Sequence, residues 1–220
     1  MTSTLSSPSV QDVLSRLFAA ADRDDDHAPV LPPGRTHATA SPRERAEALQ
    51  DVYLPISAEA GKLLYALVRA IRPGTVVEFG TSFGISTIYL AAAVTDNGTG
   101  HVVTTELSSR KVDAARANLR QAGVDRVVTV RPGDARETLA GLPGPVGLVL
   151  LDGWKDLCLP VLRLLEPVLS PGALVAADDN SHASLAEYLG YVRDPASGYV
   201  TVSFPVEDGM EISSWTGRRP

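Results

Sequence analysis

The chain has 220 residues and a mass of 23.2 kDa, with 20 Lys+Arg against 26 Asp+Glu for a formal charge of −6. With 44% hydrophobic and 21% charged residues it can build a folded core, which excludes wholesale disorder, and its acidic balance argues against a nucleic-acid binder. Cys158 is the single cysteine, the first ten residues have no cationic start, and no apolar run nears the roughly 20 residues of a membrane span; a reducing, cytoplasmic setting without a membrane partner is expected.

In chain order, Val10, Val13, Leu14, Leu17 and Phe18 recur at helical spacing and predict an amphipathic helix over 9–22. A Pro/Gly/Asp-rich stretch follows to Ser41, where Ser41-Pro42-Arg43-Glu44 reads as a second helix start. A third helix is expected over 57–71, stopped by Pro73-Gly74. From there short apolar runs alternate with helical ones. Strands are predicted at 75–79, 101–105, 127–130, 146–151 and 173–177, and helices at 85–94, 109–121, 136–142, 157–169 and 183–193. Tyr199–Phe204 and Met210–Trp215 flank Glu207-Asp208-Gly209 as an antiparallel hairpin. Strand-helix alternation predicts an α/β, Rossmann-like, doubly wound and mostly parallel seven-stranded sheet closed by that hairpin. Residues 1–56 read as a helical extension or lid, and 57–220 as the main domain. The extension's apolar stripes need cover from the core or from a second subunit, so a homodimer is expected.

Ligands of open α/β sheets bind beyond the carboxyl ends of the strands. The first strand runs into Glu78-Phe79-Gly80-Thr81-Ser82-Phe83-Gly84-Ile85-Ser86, a turn with two glycines. The second ends on Glu106, placed to accept both hydroxyls of a ribose. The others lead into Gly133-Asp134, Asp152 and Asp178-Asp179-Asn180. Taken singly, such acids may only cap the next helix; their joint occurrence carries the argument. Ser82 and Ile85 stand where a dinucleotide fingerprint needs glycine, and no P-loop motif exists, so adenosine without phosphates remains. That points to S-adenosylmethionine.

Val76–Thr87 resembles motif I of class I methyltransferases of the catechol and caffeoyl-CoA O-methyltransferase type. Leu151-Asp-Gly-Trp-Lys-Asp156 and Ala177-Asp-Asp-Asn180 resemble the metal and catalytic region of the catechol enzymes. The resemblance implies that Gly80, Ser82 and Ser86 line the methionine end of the cofactor, supported by Glu78. It implies that Glu106 holds the ribose, that Gly133 and Asp134 sit by the adenine, and that Trp154 packs on the cofactor. Asp152, Asp179 and Asn180 would bind a divalent cation, with Asp152 and Lys155 catalytic and Lys155 the general base. Two departures stand out: Gly153 replaces a histidine, and no acid near Val202 matches the one that contacts a substrate hydroxyl in the catechol enzymes.

Asp152 and Asp179 lie 27 residues apart with one helix between, which brings both to one end of adjacent strands. An all-oxygen ligand set suits Mg²⁺ over Zn²⁺. Beside a dication Lys155 is expected to have a lowered pKa. The expected activity is methylation of a small-molecule hydroxyl, on an aromatic with vicinal hydroxyls. A metal-independent methyltransferase of the same fold and a non-catalytic adenosine-binding module remain alternatives.

Overall fold

The computed structural model describes residues 3–24 and 30–217. Five strands pair in parallel: β1 (Thr75–Phe79), β2 (His101–Glu106), β3 (Val128–Pro132), β4 (Val146–Leu151) and β5 (Leu169–Ala177). β6 (Tyr199–Phe204) and β7 (Met210–Trp215) form the hairpin, and β7 joins β5 antiparallel. The order is β3-β2-β1-β4-β5-β7-β6, so the order reverses between β1 and β4 and opens a crevice at their carboxyl ends. The expected fold class is the one observed.

The helices are α1 (Pro8–Ala21), α2 (Pro42–Ala48), α3 (Ala58–Ile71), α4 (Ile85–Asn97), α5 (Ser109–Ala122), α6 (Ala135–Thr138), α7 (Cys158–Leu165) and α8 (Ala186–Val192). Side chains cap the starts where the sequence offers them: Ser7 accepts from Val10, Ser41 and Glu44 make a reciprocal box, and Ser57 accepts from Ala60. α7 stops at Leu165, earlier than its apolar pattern, because Pro167 has no N–H to continue the ladder. β5 begins earlier than expected. Its register with β4 shifts between Val146 and Leu148, which absorbs Pro171-Gly172 and keeps Leu169 in the sheet.

Two apolar clusters sandwich the sheet. One joins α1, α3, α4 and α5 to Val76, Val102, Leu148 and Leu150; the other gathers α7 and α8 with Val77, Val149, Leu151 and Trp215. α4 sits deepest, buried from Ile85 to Val94 on every face. Cys158 is buried in the second cluster, as a small core residue should be. The stripe of α1 is covered by the chain itself. Val10, Val13, Leu14 and Leu17 share the first cluster, and Arg16 donates to Asn118 and Gln121 of α5. That stripe therefore makes no demand for a second subunit.

Candidate active site

The crevice holds a cavity of about 560 Å³, walled by the β1, β2, β3, β4 and β5 ends and roofed by residues 37–56. Register carries the acids to it. Leu151 pairs with Ala177, so the next residues, Asp152 and Asp178, stand side by side, with Asp152 N–H bonded to Phe79 O and Asp178 N–H to Leu151 O.

The β1 turn is shaped to admit a ligand backbone-first. Gly80 has φ +103°, and a Cβ there would meet the Asp152 carbonyl oxygen at 2.6 Å. Ser82 N–H donates to Glu106 Oε2 at 2.8 Å, and Ser108 N–H donates to Oε1 at 2.8 Å. Glu106 thus ties the β1 and β2 loops together while lining the cavity, with lone pairs left for hydroxyl donors. Glu78 lies beneath, fully buried, its Oε2 accepting from Thr87 and Thr104 hydroxyls at 2.5 Å. Burial pushes its carboxyl up to about 7. Ser86 and Gly133 line the same cavity. Asp134 also lines it, but its carboxylate caps α6 and pairs with Arg136, which holds it below its ordinary pKa.

On the other side Lys155 Nζ reaches Asp152 Oδ1 at 3.1 Å and Asp179 Oδ2 at 3.0 Å. Asp152, Asp178 and Asp179 place carboxylate oxygens within 4.8 Å of one another. Burial and the Asp152 charge push Asp178 up to about 8, and burial raises Asp152 as well. Burial alone would lower the Lys155 pKa, but Asp152, Asp179 and Asp178 outweigh it and raise it. The lowering expected from the sequence would need a cation to take up that negative charge. Crowded carboxylates that resist ionising together are a donor set that fits a hard divalent cation.

Asp179 and Asn180, the two residues expected to hold a cation with Asp152, sit differently. Asn180 is turned away: its amide donates to Ser203 Oγ at 2.8 Å and Glu211 Oε2 at 3.3 Å, and it does not line the cavity. Asp178, the first residue after β5, lines the cavity with Asp179 and adds a third carboxylate beside Asp152.

Other contributors were not singled out from sequence. Tyr53 stacks on Phe83 with centroids 4.0 Å apart, and its carbonyl accepts from Ser82 Oγ at 2.6 Å. Lys111, 6% exposed, lines the cavity near Glu106. Glu207, from the hairpin turn, enters the wall beside the carboxylate cluster, whereas Val202 lies outside it and is exposed. Gly153 leaves no room for a side chain, since a Cβ would lie 2.4 Å from the Phe79 ring. Helix signals and turn chemistry mark 41–56, yet only tertiary packing shows that it roofs the site.

The strand-end crevice combines a glycine turn, the Glu106 carboxylate and an acid cluster, and the model of a methyltransferase domain matches residues 77–180. A catechol O-methyltransferase of Mycobacterium tuberculosis is 36% identical over 127 residues, 57% of either chain. Catechol O-methyltransferase B of Danio rerio is 30% identical over 173 residues, 72% of this chain and 64% of that one. The chain thus spans about three-fifths of the length of these curated relatives. Cofactor-bound Rv0187 from MTB superposes with a TM-score of 0.68 at 26% identity, covering 94% of this chain and 91% of that one. The Streptomyces achromogenes O-methyltransferase TomG in complex with SAM shares the fold, with a TM-score of 0.68 at 24% identity over 94% and 90% of the two chains. In its matched segments and its fold the chain is similar to S-adenosylmethionine-dependent O-methyltransferases.

Proposed function

We propose that this protein transfers a methyl group from S-adenosylmethionine to a hydroxyl of a small aromatic with vicinal hydroxyls, with a divalent cation such as Mg²⁺ at Asp152, Asp178 and Asp179. The carrying observation is that Lys155 Nζ spans Asp152 and Asp179 in the cavity that also holds the Gly80 turn and Glu106. Bound together, the cation would polarise the acceptor's oxygens and the cofactor would supply an activated methyl. The catechol O-methyltransferase names of the relatives support the diol; the donor set supports the cation.

The chain's own residues then have distinct tasks. Glu106, with Ser82 and Ser108 fixing its carboxylate, accepts the ribose hydroxyls. Gly80 and Gly133 offer bare backbone to the cofactor. Tyr53, Trp154 and Leu54 cover the cavity and exclude water. Lys155 Nζ takes the acceptor's hydroxyl proton once the acids' charge is balanced, and holds it until release.

Turnover by variants tests this. Lys155→Ala should lower kcat by about 10²–10⁴-fold and leave cofactor affinity intact, as loss of a positioned base does. Asp152→Ala should lose activity that excess Mg²⁺ partly restores, whereas excess Mg²⁺ should not rescue Lys155→Ala. Near wild-type turnover by Lys155→Ala on a methylated substrate would remove the base from the mechanism.

A further inference from the structure

Arg45 stands on α2, in the segment that roofs the cavity. Its side chain is only 8% exposed, which is rare for an arginine without a specific partner. Nη1 and Nη2 donate to Asp156 Oδ1 and Oδ2, each at 2.9 Å, a fork on a carboxylate. The guanidinium carbon also lies 4.8 Å from the centroid of the Trp154 ring. His37, from the same roof, meets that ring edge-on at 5.6 Å. One arginine of the roof therefore holds both chain neighbours of Lys155. Arg45 Nε is buried with no hydrogen-bond partner among the described residues, so the fork and the ring stack carry the contact. A fully exposed ion pair would hold little in place; this one is forked and stacked, with the arginine buried and Asp156 half-exposed.

We propose that Arg45 is a positioning residue: by fixing Asp156 and Trp154 it aims Lys155 at the carboxylate cluster, so that the roof and the proton-accepting amine are set as one unit. The inference about turnover rests on the reading of Lys155 as the base; the grip on Trp154 and Asp156 does not.

Tryptophan emission reads the grip without turnover. The chain has two tryptophans, and Trp215→Phe leaves Trp154 as the only emitter. In that background Arg45→Ala should move the Trp154 emission to longer wavelength and increase its quenching by acrylamide. Arg45→Lys keeps the charge but loses the fork, and should do the same to a smaller degree. If Trp215→Phe does not fold, the difference spectrum between Arg45→Ala and the unchanged chain carries the same information. In methyl transfer, Arg45→Ala should lower kcat by about 10²-fold, the scale of a small misplacement of a reacting group. The exchanged pair Arg45→Asp with Asp156→Arg should recover part of kcat. Unchanged emission and quenching would overturn the proposal. So would an unchanged kcat beside shifted emission. Shifted emission in a protein that methylates no hydroxyl would leave the grip standing and remove the activity assigned above.

Discussion

Glu106 shows how one carboxylate can tie two loops together and still line a cavity. Each oxygen already accepts a backbone N–H, from Ser82 or Ser108, yet both keep a further lone pair toward the cavity. Glu106→Ala should cost about 1.5–3 kcal/mol of cofactor affinity, the scale of a hydrogen bond to a charged group. Unchanged binding in calorimetry would contradict its placement at the ribose. Glu78 belongs to the same turn but acts on stability. Its folded pKa of about 7 lies above the ordinary 4.5. The folded state therefore binds the extra proton, and this contribution is full below about pH 4.5 and is lost as pH rises through about 7. Glu78→Gln should flatten the urea-stability profile over that window by about 3 kcal/mol. Parallel profiles for the two proteins would mean that Glu78 is not protonated there. Single residues were unevenly legible. Glu106, Asp152 and Lys155 follow from their place after a strand. In Asp178-Asp179-Asn180, three adjacent polar residues fit the sequence pattern equally well. Only the Leu151–Ala177 register decides which of them face the crevice.

Elements were legible where periodicity and caps agree, and both hairpin strands and β1 have the expected bounds. Their ends moved where a single residue outweighs the pattern, as at Pro167 in α7 and at the β5 irregularity. The N-terminal helices were legible as helices and not as partners, because an apolar stripe does not say what covers it. In the structure α1 is covered by the chain's own core. Leu17 is fully buried, so Leu17→Ala should destabilise the whole fold by about 2–5 kcal/mol, as core leucine truncations do. A urea midpoint close to wild type would instead mean that α1 is a loose appendage. The roofing segment resisted reading because its contacts are long-range. Arg45 meets Asp156 across 111 residues, and Ser82 meets the Tyr53 carbonyl across 29.

At the scale of the molecule, one sheet brings two chemistries into one cavity. The β1 and β2 ends present glycine backbone and a carboxylate, and the β4 and β5 ends present carboxylates and an amine. The reversal of strand order between β1 and β4 is what makes them neighbours. Their joint presence supports methyl transfer to an oxygen held by a cation. The most direct measurement is transfer of labelled methyl from S-adenosylmethionine to a panel of catechols, simple phenols and amines, with Mg²⁺ and with excess chelator. The account predicts label on the catechols, little on the phenols or amines, and loss of transfer with chelator that added Mg²⁺ reverses. Transfer that is undiminished by chelator, or directed to amines, would contradict it.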